Sequence, residues 1–271
     1  MSFFRNRFPG REFFPGLSYV DHSSLLHRLH PLVKLVGLVS FSLTVFAVPS
    51  ARGGTILFCL LLVFYGLAGL GLVFFLRKLR FILIFGLSVF LIQVVFVKEG
   101  FLLWQFSLGI ASLEIWSEGF QGGLKMMLRF LNIIGSSYLF VATTDPNRLA
   151  YALMQAGLPY RFGFMLITAL RFIPVFRLEL AQVKNAQMAK GIDLEGLSPG
   201  KLFRAVRYLF VPLVISTLSR VDALTISMES RAFGLYPERT YLDSQALSAE
   251  DKLLILAMPL LFLVFYYALS P

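Results

Sequence analysis

Charge is what this sequence has least of. Lys, Arg, Asp and Glu supply only 15% of its 271 residues, 57% are hydrophobic, and mean hydropathy is +0.75. A soluble domain keeps roughly a quarter of its residues charged. The deficit excludes a fully water-exposed globule and makes lipid the solvent for much of the chain. Cysteine is nearly absent: the single Cys59 lies within an apolar run, so there is no disulfide framework, only a packed or lipid-facing thiol. Just three histidines occur, His22, His27 and His30, in one N-terminal stretch beside Asp21. Their spacing is compatible with a metal site, but no second ligand cluster accompanies them, and interfacial imidazoles usually bond headgroups or backbone. No Gly-x-x-x-x-Gly-Lys loop is present, so ATP hydrolysis would belong to partners. Nor does any Ser/His/Asp order or intramembrane carboxylate pair suggest an enzyme. The net charge of +10 is not gathered into one soluble stripe, which speaks for headgroup attraction and topology signals rather than nucleic-acid binding. The basic N-terminus lacks a small-residue cleavage site, and its first apolar run begins about thirty residues in, so it does not read as a secretory signal.

What the chain does have is long apolar runs. Five approach the ~20 residues that cross a ~30 Å hydrocarbon layer: about 32–48, 55–76, 81–97 (interrupted by Gln93), 124–142 and 253–269. In hydrocarbon, isolated strands would leave backbone groups unpaired, so helices are expected. Arg5, Arg7, Arg11 and Arg28 at the N-terminus, and the block Arg77, Lys78, Leu79, Arg80 read as a link between the second and third runs, place those segments in the cytoplasm. The links around Arg52 and across 98–123, with Glu99, Glu114 and Glu118, then fall outside. In that topology Lys125 can snorkel to the interface, while Arg129 needs a polar partner.

The section from about 143 to 251 differs. It holds about half of the basic residues and ten of the 15 acidic ones, yet stays rich in Leu, Phe, Ile and Met at helical spacing. It reads as a cytoplasmic or interfacial helical domain. Asp145 is a suitable N-cap before Pro146, and Gly157-Leu158-Pro159 closes a short helix. A second helix spans about 162–190, bent at Pro174 and ended by Gly191. A third follows Ser198-Pro199-Gly200 and spans about 201–233, with Pro212 inside and Gly234 at its end. The resulting expectation is an all-α integral membrane protein. It has about five transmembrane helices and a helical coupling domain with two long kinked helices, divided as 1–142, 143–251 and 252–271.

The two long helices end alike. One closes Ala186-Gln187-Met188-Ala189-Lys190-Gly191, the other Met228-Glu229-Ser230-Arg231-Ala232-Phe233-Gly234. A long cation in the last turn offsets the negative end of the helix dipole, so capping alone is one explanation. Together with Ala169-Leu170-Arg171-Phe172-Ile173-Pro174, Ala156-Gly157-Leu158-Pro159 and Ser24-Leu25-Leu26-His27-Arg28-Leu29-His30-Pro31, these words resemble the transmembrane (T) component of energy-coupling factor transporters. Those are ABC-type importers of vitamins and transition-metal ions in prokaryotic cell membranes. The resemblance extends over essentially the whole chain.

It implies a scaffold without enzymatic activity or cofactor. Its partners would be two ABC-type ATPase subunits, identical or not, and a small substrate-binding membrane subunit. In the family, each of two cytoplasmic helices ends in an Ala-Arg-Gly signature whose arginine docks on an ATPase. The matching positions here are Ala189-Lys190-Gly191 and Ser230-Arg231-Ala232, with Arg171, Pro174, Glu229 and Gly234 in support. Three departures stand out. His30 occupies a usual aspartate position, Lys190 keeps the charge without arginine's planar fork, and Ala232 replaces glycine, leaving Gly234 to supply the turn. Met126, Met127, Met154, Met165, Met188 and Met228 suit either helix packing or a surface that repacks. A secondary transporter would need more polar groups in mid-membrane than Gln93. A lipid-modifying enzyme would need an interfacial carboxylate or histidine cluster, for which only Glu114 and Glu118 or the N-terminal histidines could serve.

Overall fold

A computed structural model describes residues 24–108, 111–192, 199–236 and 247–269. Arg5, Arg7, Arg11, Asp21, His22 and Ser198 lie outside them. The helices are α1 (Leu25–Arg28), α2 (Pro31–Ala47), α3 (Ala51–Leu67), α4 (Gly71–Phe96), α5 (Ser117–Thr143), α6 (Pro146–Gln155), α7 (Tyr160–Ala189), α8 (Pro199–Ser230) and α9 (Ala249–Leu269). The strands β1 (Leu102–Leu108) and β2 (Ala111–Trp116) form one antiparallel hairpin. The chain forms two compact units, one of Met1–Ala156 with Gln245–Pro271, the other Gly157–Ser244.

The first unit is a helical membrane bundle built around α5. Phe41, Leu57, Leu61, Tyr65 and Leu139 are buried in its core, while Leu43 and Phe46 on α2 are each 66% exposed. Large apolar side chains turned outward on a well-packed helix are what a lipid-facing surface requires. Two glycines let α5 approach α4 closely. A methyl group at Gly119 would stand 2.7 Å from the Val97 carbonyl oxygen, and one at Gly123 would stand 2.9 Å from the Phe90 ring. Small residues four apart allow such backbone contact, which packing in lipid uses in place of a hydrophobic driving force. Polar cross-links fix the register. The Tyr65 hydroxyl donates to the Gly135 carbonyl at 2.8 Å, and the Asn132 amide donates to that of Gly54 at 3.0 Å. Phe41 and Phe262 meet edge to face at 5.7 Å, bringing α9 onto α2.

Several sequence expectations take concrete form. Arg129 finds its partner at the end of α2, where it donates to the Phe46 carbonyl at 3.2 Å and lies over the Phe46 ring. A free helix C-terminus offers unpaired carbonyls and a partial negative charge, so the cation is satisfied without a carboxylate. His30 caps α2, its Nδ1 accepting from the Leu32 N–H at 3.3 Å, and Pro31 occupies the first turn. The imidazole does what a capping aspartate would do. Asp145 caps α6 through Asn147 N–H at 2.9 Å.

Other expectations are corrected. The second apolar run breaks early, since α3 ends in a turn at Gly69 (φ 72) and α4 begins at Gly71. Residues 77–80 are therefore helical and belong to α4, not to a link. Ala68-Gly69-Leu70 is apolar, so hydropathy runs straight through a break made by backbone hydrogen bonds alone, Gly69 N–H to Gly66 and Leu70 N–H to Tyr65. The 98–123 link contains the β hairpin, whose register pairs Leu102 with Trp116 and Leu108 with Ala111. Among the described residues, three helices are long and apolar enough to cross a membrane: Ser117–Thr143, Val206–Ser230 and Ala249–Ala268. Pro31–Ala47, Ala51–Leu67 and Ile82–Phe96 are apolar but shorter. Val206–Ser230 was expected in the interfacial domain, yet it is as apolar as the spans.

Candidate functional site

The second unit is the antiparallel pair α7 and α8. Glu179 holds it together: buried on α7, it accepts from the Ser216 hydroxyl on α8 and lies 3.6 Å from the Arg220 guanidinium, one turn further along. Nearer the other end, the Gln187 side-chain amide donates to the Tyr208 carbonyl at 3.0 Å. Where α8 ends, the Phe233 ring packs on Phe164, with centroids 4.5 Å apart, and on Tyr160 at 6.0 Å. The end of α8 thus sits at the start of α7. Pro174 and Pro212 stand inside the two helices.

Both helices finish in the same turn. At α7, Gly191 N–H bonds the Met188 carbonyl and Ile192 N–H bonds that of Gln187. At α8, Ala232 N–H bonds Glu229 and Phe233 N–H bonds Met228, the identical offsets. The residue that turns is left-handed in both, Gly191 at φ 77 and Ala232 at φ 51. Gly234, at φ 92, adds a second left-handed residue but does not replace the first. The expectation that Gly234 supplies the turn is thereby corrected. The helix terminates where its carbonyls find these partners, and Phe233, anchored on α7, holds Ala232 in place at a cost of about 1 kcal/mol.

This superposes Lys190 on Arg231. Each is the last residue before the left-handed one, and each is exposed. Ala189 and Ser230 precede them and are exposed too; the Ser230 hydroxyl folds back onto the Ser227 carbonyl at 3.1 Å. Glu229 is exposed and enters the cap through its backbone. Arg171 lies exposed along α7, and Pro174 is half-buried. The two cations do not converge. Because the helices run antiparallel, Lys190 and Arg231 stand at opposite ends, separated along the axis by on the order of 40 Å for a helix of this length. Sequence reasoning missed Ser216 and Arg220; their one-turn spacing on α8 was the available signal, but only the pairing of helices shows that it faces Glu179.

Most of the pair's large apolar side chains are uncovered. Phe203, Phe210, Ile215, Leu218 and Ile226 are each more than half exposed, as is Met165 on α7. A family model described as CbiQ, cobalt transport protein, matches residues 22–242. The chain belongs to that family. Among curated relatives of the CbiQ family chain is the energy-coupling factor transporter transmembrane protein EcfT of Streptococcus thermophilus, 31% identical over 93% of this chain and 97% of its own length. The EcfT of Exiguobacterium sibiricum is 31% identical over 93% and 95%, and that of Bacillus subtilis 26% identical over 92% and 96%. The two long helices therefore belong to a multi-pass membrane component of the CbiQ and EcfT type.

Proposed function

We propose that this chain is the transmembrane scaffold of an energy-coupling factor importer, converting motion of two ABC-type ATPase subunits into movement of a separate substrate-binding membrane subunit. Lys190 and Arg231 are the docking points. The observation that carries this reading is the repeated helix end: one backbone turn, made twice, each presenting one exposed cation, at opposite ends of one helix pair. A capping role alone asks for a cation near each C-terminus, but not for the same cap position, the same exposure and a left-handed alanine. Two cations so far apart cannot share one small acidic groove, so they suit two subunits. When those subunits close on ATP, the helix ends are drawn together or apart, and the pair tilts or slides.

The uncovered apolar side chains of α7 and α8 would carry the substrate-binding subunit, with lipid at their margins. Met165 and Met188, both exposed, supply flexible contacts for a surface that repacks in each cycle. In a prokaryotic cell membrane this places the N-terminus and the coupling helices on the cytoplasmic side, with ATP hydrolysis in the partners. The solute would be a vitamin or a transition-metal ion, bound by the partner subunit. Affinity purification of the tagged chain in mild detergent, with mass spectrometry of what stays bound, tests the assignment. Recovery of one or two ABC-type ATPases and a small hydrophobic subunit supports it. Recovery of the chain alone after gentle cross-linking in intact membranes would overturn it.

A further inference from the structure

Beside the core of the first unit lies an apolar cavity of about 150 Å³, lined by Leu26, Val33, Phe41, Phe140, Met258 and Phe262 among others. It is a partly open recess, not a sealed void, and is large enough to admit several methylenes. It adjoins a polar pocket of about 10 Å³, room for one water-sized group, formed by His27, Pro31, Lys34, Thr144, Asp145 and Arg148 among others. Leu29, Lys34 and Thr143 line both, so the two lie side by side.

The polar end is built for an anion. Lys34 donates to the Thr143 carbonyl at 2.8 Å and to the His27 carbonyl at 3.4 Å, which uses two of its three N–H donors. Arg148 is a second cation on the same pocket. The one carboxylate there, Asp145, already accepts from the Asn147 backbone and side chain. The Thr144 hydroxyl oxygen is buried without a hydrogen-bond partner, in a residue only 4% exposed. A buried hydroxyl left unbonded, next to two cations that repel one another, is an arrangement an anionic group would relieve.

We propose that this is a site for one anionic phospholipid. One non-bridging oxygen of its phosphate enters the polar pocket beside Lys34 and Arg148 and accepts from Thr144, and the upper methylenes of one acyl chain fill the cavity. A free phosphate would satisfy the polar end but leave the cavity empty; the adjacency of the two parts selects the lipid. The site belongs wholly to the first unit and does not depend on the coupling role of α7 and α8.

The test uses the full-length chain, purified in detergent, stripped of lipid and titrated with phosphatidylglycerol or phosphatidylcholine of matched acyl chains, with bound lipid counted by native mass spectrometry. The wild type retains one phosphatidylglycerol about tenfold more strongly than phosphatidylcholine, the worth of one charge-assisted hydrogen bond. Arg148→Gln, at an exposed position, removes most of that preference. Lys34→Gln does so too, although it also loses the link to Thr143. Ser136→Leu fills the cavity without touching the cations and weakens retention of phosphatidylglycerol. Equal retention of the two lipids by the wild type, or an Arg148→Gln variant with unchanged preference, overturns the site. Competition by inorganic phosphate together with no effect of Ser136→Leu would show a free-anion site, and would overturn the lipid assignment.

Discussion

The end of α7 and the end of α8 use one backbone design on two different pairs of residues. At α7 the cation is Lys190 and the turning residue Gly191; at α8 they are Arg231 and Ala232. Glycine enters the left-handed region freely, whereas alanine pays about 1 kcal/mol. Alanine is held there because Phe233, one residue on, is locked against Phe164 and Tyr160. At the α7 end, a methyl group added at Gly191 would meet no atom of the described residues within 4 Å. Conformation at one end is therefore supplied by the residue and at the other by packing. The cations differ in kind as well. Arginine offers a planar fork that matches a carboxylate in two hydrogen bonds, while lysine offers a compact point charge on a flexible stem. The α8 end should dock more rigidly, the α7 end more adaptably.

The comparison breaks most severely under charge reversal. Lys190→Glu with Arg231→Glu should abolish ATP-driven solute uptake while membrane insertion, read by fractionation, stays normal. Arg231→Glu alone should cost at least thirtyfold in uptake, as expected when about 2 kcal/mol or more is lost with one partner of an interfacial charge pair. Lys190→Glu should cost less than that. Normal uptake by Arg231→Glu would remove that residue from the coupling site.

A smaller effect comes from separating the helices that carry the two ends. Glu179→Ala deletes the acceptor for Ser216 and the partner of Arg220. It should destabilise the α7–α8 pair by about 1–3 kcal/mol. Spin labels placed on α7 and α8 should report a broadened distance distribution; an unchanged one would show that packing alone holds the pair.

The finest distinction concerns the turning residues, where equivalent positions should respond with opposite signs. Gly191→Ala should destabilise the α7 cap by about 1 kcal/mol, a purely conformational cost. Ala232→Gly should relieve strain, with a net gain held below about 1 kcal/mol by the added freedom of the unfolded chain. Thermal unfolding in detergent measures both, and a loss on Ala232→Gly would show that the methyl makes a contact of its own. Lys190→Arg should modestly raise ATPase retention during purification.

Much of this was legible in the sequence. Asp145, Gly157 and Gly191 marked the ends of α6 and α7 correctly, because caps act locally, and Pro174 and Pro212 fall inside α7 and α8 as read. The two candidate docking points were visible as repeated words at helix ends. What could not be read was anything depending on register between distant segments. Glu179 meets Ser216 and Arg220 only once α7 and α8 are laid side by side, and the close approach at Gly119 and Gly123 exists only against α4. Arg129 was recognised as needing a polar partner, but a backbone carbonyl at the end of α2 has no sequence signature. Hydropathy also failed at Gly69, since it measures solvent preference and not backbone direction.

The most direct test places a photo-reactive amino acid at position 190 or 231 in native membranes and identifies what each captures. The account predicts that each position captures an ABC-type ATPase subunit, whereas a probe at position 171 on the flank of α7 does not. Capture of only lipid or the small membrane subunit at both 190 and 231 would contradict it.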